Sequence, residues 1–343
     1  MTPAIKPAGA EDAMSPISLD RRAALTGAGA LAAAGLMGAR TAAAQARMGS
    51  LCFLSLSNNV MTVGPDGQGL AKLVEGKGSS GPDGITYDTS AKRIIWSNMG
   101  KVNENDGTVM SCDLAGGDVK TLVAAGGTFT PKQIKFDTER RRLYWCDREG
   151  MRVMRCNPDG SNVEVLVQTG DFTANKGDQT RWCVGIALDY SRNQIYWSQK
   201  GGDNANQGVI RRASMDIPYG QTPANRTDIE TLFSGLPEPI DLDIEPRRRR
   251  LYWTDRGDNT VSRAPMDMPI GADPAARTDR EILVRGLKEA IGMHLDTAAG
   301  RMYYTSLGGE VGTAKMDGTE ARMLLTGQGS LTGITQIALS SMS

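Results

Sequence analysis

The sequence is poor in the groups that most enzymes and metalloproteins use. Its 343 residues include one histidine, His294, and five cysteines, Cys52, Cys112, Cys146, Cys156 and Cys183. A single imidazole cannot build a histidine-based zinc site and makes triad chemistry a poor fit. An odd number of thiols in a chain that reads as exported argues against a disulfide framework. Aromatic residues make up only 5%, and Lys+Arg and Asp+Glu stand at 39 each. That zero balance lacks the basic excess of a protein that grips nucleic-acid phosphates. No uncharged run reaches the roughly 20 strongly apolar residues of a membrane-spanning helix.

The nearest approach is Ala23 to Ala39, an Ala- and Gly-rich stretch that follows Leu19-Asp20-Arg21-Arg22. Arg40 and an Ala44-Gln45-Ala46 step come next. A basic start, a weakly apolar core and a small-residue cleavage site form a secretory signal, and the paired arginine points to twin-arginine export. Residues 1–46 are therefore expected to be a signal peptide, with one domain over 47–343 and a periplasmic or secreted location. Gly27-Ala28-Gly29 with Gly35 imitates a dinucleotide fingerprint, but no strand precedes it and no βαβ unit surrounds it.

What is abundant is glycine, 41 residues or about 12% against a usual ~7%. The chain also repeats. Gly84-Ile85-Thr86-Tyr87-Asp88 leads to Ile94-Ile95-Trp96-Ser97-Asn98, and Gln133-Ile134-Lys135-Phe136-Asp137 leads to Leu143-Tyr144-Trp145-Cys146-Asp147. Gly185–Asp189 leads to Ile195–Gln199, Asp241–Glu245 to Leu251–Asp255, and Gly292–Asp296 to Met302–Ser306. In each copy an acid stands eight residues before an aromatic. The first segment alternates as a strand, the acid starts a turn, and the aromatic strand follows. Two further short strands, joined at turns such as Asp159-Gly160, complete each unit. Four strands per ~45–50 residues, repeated radially, make a β-propeller blade.

Tyr252-Trp253-Thr254-Asp255 carries the full YWTD signature, and Tyr144-Trp145-Cys146-Asp147 departs from it at one position. The chain resembles the YWTD family, the class B repeat of the LDL receptor, over nearly all of 50–340. The resemblance implies an all-β, six-bladed β-propeller with four antiparallel strands per blade. Leu51-Cys52-Phe53-Leu54-Ser55 has the place of a Tyr-Trp strand without a first strand before it. Gln336-Ile337-Ala338-Leu339-Ser340 is expected to supply that strand, so that the C-terminal strand closes the ring within the N-terminal blade.

Chemistry in such a ring belongs to the channel and to the face where fourth-to-first and second-to-third strand loops emerge. Alternation turns Thr86, Lys135, Ala187, Asp243, His294 and Ala338 toward the channel, with Gln133, Asp241 and Gln336 sharing that parity. Loops feeding the inner strands add Asp83, Lys132, Arg181, Trp182 and Glu238. Asp243 and His294 are candidates for an acid–base pair, or for a channel salt bridge with Lys135. Trp182 beside Arg181 is a candidate stacking platform or a side chain packed over the mouth. Asp83, Lys132, Lys135, Arg181, Trp182, Glu238 and Asp241 are thus the candidate ligand-binding set. Cys183 is the thiol to test for reactivity. Similar insertions after Met215 and Met266, with Arg226 and Arg277, form either a docking ridge or lengthened hairpin tips.

These features predict an exported binding module engaging a protein, glycan or small ligand at the channel mouth, with no nucleic-acid partner. The alternative is a lactonase- or hydrolase-like propeller enzyme. Other six-bladed propellers bind calcium in the channel, which leaves calcium open as the cofactor of this alternative, although no cofactor and no metal-ligand set are expected here. A dehydrogenase is excluded for want of a Rossmann unit. If 1–46 is a twin-arginine signal, mature protein begins at Arg47, and Arg21→Lys with Arg22→Lys retains precursor in the cytoplasm. Undiminished export of that variant, read by fractionation and immunoblot, would refute the assignment.

Overall fold

The computed structural model describes residues 49–76 and 81–337. The expected signal segment 1–46 and residues 338–343 lie outside the described residues. Six four-stranded antiparallel sheets follow one another, and neighbouring inner strands contact each other around the full circle. The fold is the all-β six-bladed propeller that the repeat predicts. In blades 2 to 6 the inner strands are Pro82–Asp88, Pro131–Asp137, Cys183–Asp189, Pro239–Glu245 and Ala290–Asp296. The second strands are Arg93–Asn98, Arg142–Asp147, Gln194–Gln199, Arg250–Asp255 and Arg301–Ser306. Blade 1 is composite: Leu331–Gln336 pairs with Leu51–Ser55, followed by Asn59–Val63 and Ala71–Glu75.

The turn acids act as expected. Asp88 accepts the N–H groups of Ser90 and Ala91, and Asp137 those of Glu139 and Arg140, all at 2.9 Å. These turns and the third-to-fourth hairpins define a lower face. The fourth-to-first and second-to-third loops define the upper one.

The closing strand is present, but its register differs from the expected one. Ile334 pairs with Phe53 as Ile134 pairs with Trp145, so the true copy is Gly333-Ile334-Thr335, three residues earlier than Gln336–Ser340. Close approach at the ring centre explains the choice. A Cβ on Gly333 would lie 2.4 Å from the Asp83 carbonyl oxygen, as one on Gly84 would from that of Lys132. Thr335 therefore takes the channel position expected of Ala338, which lies outside the described residues.

The Tyr-Trp pairs fill the seams between blades. Neighbours on a strand face opposite ways. Tyr144 of blade 3 thus shares a buried cluster with Trp197 of blade 4, and Tyr196 with Trp253 of blade 5. The last seam joins Tyr303 to Phe53, closing the ring.

The paired insertions cover strand edges. Gln168 N–H of blade 3 donates to Pro223 in the blade 4 insertion (2.9 Å), and Ser234 N–H of blade 4 to Pro274 in the blade 5 insertion (3.1 Å). Arg226 is buried and donates to the Leu166 carbonyl (2.8 Å), as Arg277 does to Leu232 (3.2 Å). Both arginines anchor their loops and protect otherwise open edges.

Because the closing strand begins at Leu331, a chain ending at Ser330 exposes one edge of Leu51–Ser55 and opens a seam. Such a chain should lose cooperative thermal unfolding or aggregate. An unchanged calorimetric transition would show that the ring does not depend on this strand.

Candidate functional site

The candidate residues separate into two groups at opposite ends of the channel. Lys132 and Lys135 lie three residues apart on one strand, a separation of roughly 10 Å. That spacing divides the upper group from the lower.

At the upper end, Asp83 of blade 2 and Lys132 of blade 3 form a buried ion pair, and Gln133 Nε2 donates to the same carboxylate (3.0 Å). Burial lowers the Lys132 pKa; Asp83 opposes the shift and Arg148 adds to it. Glu238 is fully buried and accepts from Lys200 (3.0 Å) and Arg256 (2.8 Å), joining blades 4 and 5. Glu149 is likewise buried and accepts from Arg148 (2.6 Å). Burial pushes the Glu149 carboxyl up, but the Arg148 hydrogen bond and charge prevail and hold it below its ordinary value. Trp182 lies beneath Arg148, 5.0 Å from guanidinium to ring centre, with the Lys200 ammonium at 5.7 Å. Among the described residues its buried indole Nε1 has no hydrogen-bond partner.

Arg181 does not join this group. It donates to Asp178 (2.9 Å) and the Thr169 carbonyl (2.6 Å), and it lines a separate cavity on the outer rim. Sequence alternation and loop position found Asp83, Lys132, Trp182 and Glu238, but not Glu149 or Lys200. The last two follow the aromatic strands closely, in the second-to-third loops, which was the one available signal.

At the lower end, all six inner strands line a cavity of about 320 Å³ containing Thr86, Lys135, Asp243, His294 and Thr335. Lys135 Nζ lies 3.6 Å from Asp243 Oδ2, and His294 Nδ1 lies 4.0 Å from the same oxygen. Burial would lower the Lys135 pKa, but Asp243 and Asp241 outweigh it and raise it. Burial also brings His294 down to about 4 despite Asp243, so the ring is neutral at pH 7. Asp241 sits between the two groups, fully buried, its pKa pushed up to about 7 by burial against the pull of Lys135.

Both aspartates serve the next blade. Asp241 accepts the N–H groups of Leu242 (2.8 Å) and Met293 (2.9 Å), and Asp243 those of Ile244 (2.9 Å) and Leu295 (3.0 Å). Each therefore ties blade 5 to blade 6. Carboxylates so engaged, beside an ammonium, do not fit a calcium ion, which needs 6–8 converging oxygens. Asp243 is held as a fixed partner of Lys135, which is the salt-bridge reading of these residues.

Cys183 is the thiol singled out for a reactivity test. Its thiol is fully buried and burial pushes its pKa up to about 12, so it carries no reactive thiolate at neutral pH.

The fold and this channel define a YWTD-type six-bladed propeller. No family model matches the chain. It is 39% identical over 290 residues to low-density lipoprotein receptor-related protein 1 of Pyricularia oryzae, covering 81% of this chain and 92% of that one. It is 38% identical over 248 residues to the 3-hydroxyacyl-CoA dehydrogenase-like protein LAM1 of Cochliobolus heterostrophus, covering 70% of this chain but about half, 52%, of that relative. Among solved structures, a nidogen/laminin complex superimposes with a TM-score of 0.63 at 18% identity, covering 84% of this chain and 99% of the other. A gluconolactonase of Xanthomonas campestris gives 0.55 at 16%, covering 83% and 87%. The chain belongs to the family of the low-density lipoprotein receptor-related protein.

The lower triad has a measurable signature. Folded His294 titrates near 4 and unfolded histidine near ~6.5. Between those values the unfolded state holds the extra proton, so this group makes stability rise with pH. Folded Asp241 titrates near 7 and unfolded aspartate near ~3.9, so it makes stability fall over an overlapping range. The two slopes oppose each other in the wild-type protein. His294→Gln removes the rising limb, so from pH 4 to 6.5 the variant should lose up to about 3 kcal/mol relative to wild type. Urea unfolding at pH 4.5, 5.5 and 6.5 measures this; parallel pH dependences would disprove it.

Proposed function

We propose that the protein is an interaction module whose upper face binds a protein partner through an acidic or amide-rich segment, with Trp182 as the apolar anchor. One observation carries the reading. In the upper ion pairs the cation is the more exposed half: side-chain exposure is 17% for Arg148 against 0% for Glu149, and 24% for Arg256 against 0% for Glu238. The same holds at Lys132 and Asp83. Asp203, exposed beside Lys200 and Arg256, and Asp258 beside Arg280 are acidic exceptions. A partner carboxylate would meet donors already fixed in place, which reduces the ordering cost of binding.

The relatives' names agree with this reading. One is a receptor-related protein, and the structural neighbour is a nidogen/laminin complex. Export by the segment 1–46 would bring this face to partners outside the cytoplasm. A glycan or small ligand at the same mouth is a narrower version of the proposal.

The lactonase- or hydrolase-like reading draws on the gluconolactonase neighbour, whose identity supports the fold alone. It would rest on Asp243 and His294, which are engaged in joining blades and in the channel triad. The dehydrogenase in the LAM1 name belongs to a longer protein, and antiparallel blades offer no βαβ crevice to a dinucleotide.

A photo-crosslinking residue at Asn103, on the upper face, should give a discrete protein adduct in the native host; one at Asp317, on the lower face, should not. With the partner in hand, Trp182→Ala should cost on the order of 1–3 kcal/mol of affinity. Arg256→Glu should weaken binding more than tenfold. An adduct formed equally from Asp317, or affinity untouched by both substitutions, would overturn the proposal.

A further inference from the structure

The outer upper rim holds a second cavity, of about 590 Å³, that neither the channel nor the Trp182 group uses. Its volume lies within the range of small-ligand sites, ~300–1,000 Å³. Four separate segments line it, at Phe129, at Gly150 and Arg152, over Gln168 to Arg181, and at Ala224. Residues 169–182, between the fourth strand of blade 3 and the first of blade 4, fold over so that Phe172 stacks on Phe129 from the preceding blade (4.5 Å, 30°). The blade 4 insertion runs along the edge of blade 3, where Gln168 donates to Pro223, and Ala224 closes the side of the cavity. Blade 5 has the same insertion, but the connection it faces is only Pro237-Glu238, too short to wall a second cavity.

The polar lining is cationic and fixed. Arg152 donates through Nε (3.1 Å) and Nη2 to Asp147 and lies 5.6 Å from the Phe129 ring centre. Arg181 donates through Nε to Asp178 and through Nη1 to Thr169. Among the described residues neither Arg152 Nη1 nor Arg181 Nη2 has a hydrogen-bond partner, so each guanidinium keeps an unused amino edge. The acid in the lining, Asp171, already accepts the N–H groups of Thr173 (2.9 Å) and Ala174 (2.8 Å).

We propose that this cavity binds a six-membered ring bearing a carboxylate, packed on the edges of Phe129 and Phe172, whose faces meet each other, Arg152 and Lys176, with its charge met by Arg152 and Arg181. Anchored guanidiniums recognise carboxylates through short, charge-assisted hydrogen bonds, and the aromatic edges can pack against either a sugar or an aryl ring. The ring can come from a uronic acid or from an aryl carboxylate.

Calorimetric titration of the folded chain with glucuronate and benzoate, against glucose and benzyl alcohol, separates these sources. The expected result is saturable binding of one or both acids, at least tenfold tighter than the matching neutral compound. Tighter binding of glucuronate identifies a sugar acid as the source, and tighter binding of benzoate an aryl acid. Phe172→Ala and Arg181→Gln should each weaken it at least tenfold with the melting temperature unchanged. No saturation with either acid, equal binding of the neutral compounds, or indifference to both substitutions would overturn the assignment. Trp182→Ala serves as the control: it should leave this binding intact, so failure here is distinct from failure of the upper-face reading.

Discussion

Every seam of the ring needs one residue from each of two blades, and the Tyr-Trp pair supplies both sides at once. The aromatic at the Trp position packs back on the preceding blade, while the residue before it packs forward on the next. Trp96 meets Cys52, Trp145 meets Ile95, Trp197 meets Tyr144, and Trp253 meets Tyr196. Tyr304 meets Tyr252, and Phe53 meets Tyr303. The dipeptide survives best in blades 3 to 5, where Trp145, Trp197 and Trp253 are fully buried. Truncating one to alanine would cost about 3–5 kcal/mol and leave its forward neighbour without a facing surface. Stability is thus a property of the closed circle, and the strand at Leu331–Gln336 has to return to the N-terminal blade.

The residue after the aromatic stitches the seams. Ser198 Oγ accepts the Gly185 N–H of its own blade (2.8 Å) and donates to the Ile240 carbonyl of the next (2.6 Å). Thr254 does the same between Asp241 N–H (3.0 Å) and the Ile291 carbonyl (2.6 Å), and Ser97 between Gly84 N–H (2.8 Å) and the Lys132 carbonyl (2.7 Å). Thr305 repeats the pattern, and Cys146 donates to Gly185 through sulfur. The apparent drift among Ser, Cys and Thr therefore preserves one property, a small side chain able to donate across the seam. Leu54 breaks the rule, and there Thr332 Oγ1 donates to the Pro82 carbonyl instead (2.8 Å). Each stitch satisfies buried backbone groups whose loss of a partner costs about 1–3 kcal/mol.

The repeat made the fold legible, because eight-residue spacing and strand alternation are local properties. The register of the closing strand was less legible. Gln336-Ile337 matches Gln133-Ile134 by residue type, whereas the chain obeys the steric need for Gly333, set by a backbone 250 positions away in sequence, at Asp83. Site residues were legible by side but not by height. Alternation directs Lys135 and loop position directs Lys132 toward the axis region, without revealing that they meet different partners, Asp243 and Asp83, at different ends. Arg181 and Trp182 are neighbours in sequence, yet Arg181 lines the rim cavity while Trp182 packs beneath Arg148. Arg226 and Arg277 illustrate the remaining gap: nothing local shows that an arginine in a loop will hold a carbonyl of the previous blade.

The channel itself argues for surface recognition. Its ionisable groups are occupied with holding blades together: Asp241 and Asp243 accept amides of blade 6, and Lys132 bridges blades 2 and 3. A ligand entering between them would have to replace those bonds, and removing one partner of a buried pair leaves the other uncompensated. At the upper mouth the balance differs, since each carboxylate is already buried beneath its cation and the guanidinium edges of Arg148 and Arg256 remain within reach of solvent. Binding there adds a partner without breaking a seam. The constraint that closes the ring therefore also favours its ends and rim, over its interior, as the places where the molecule can meet something else.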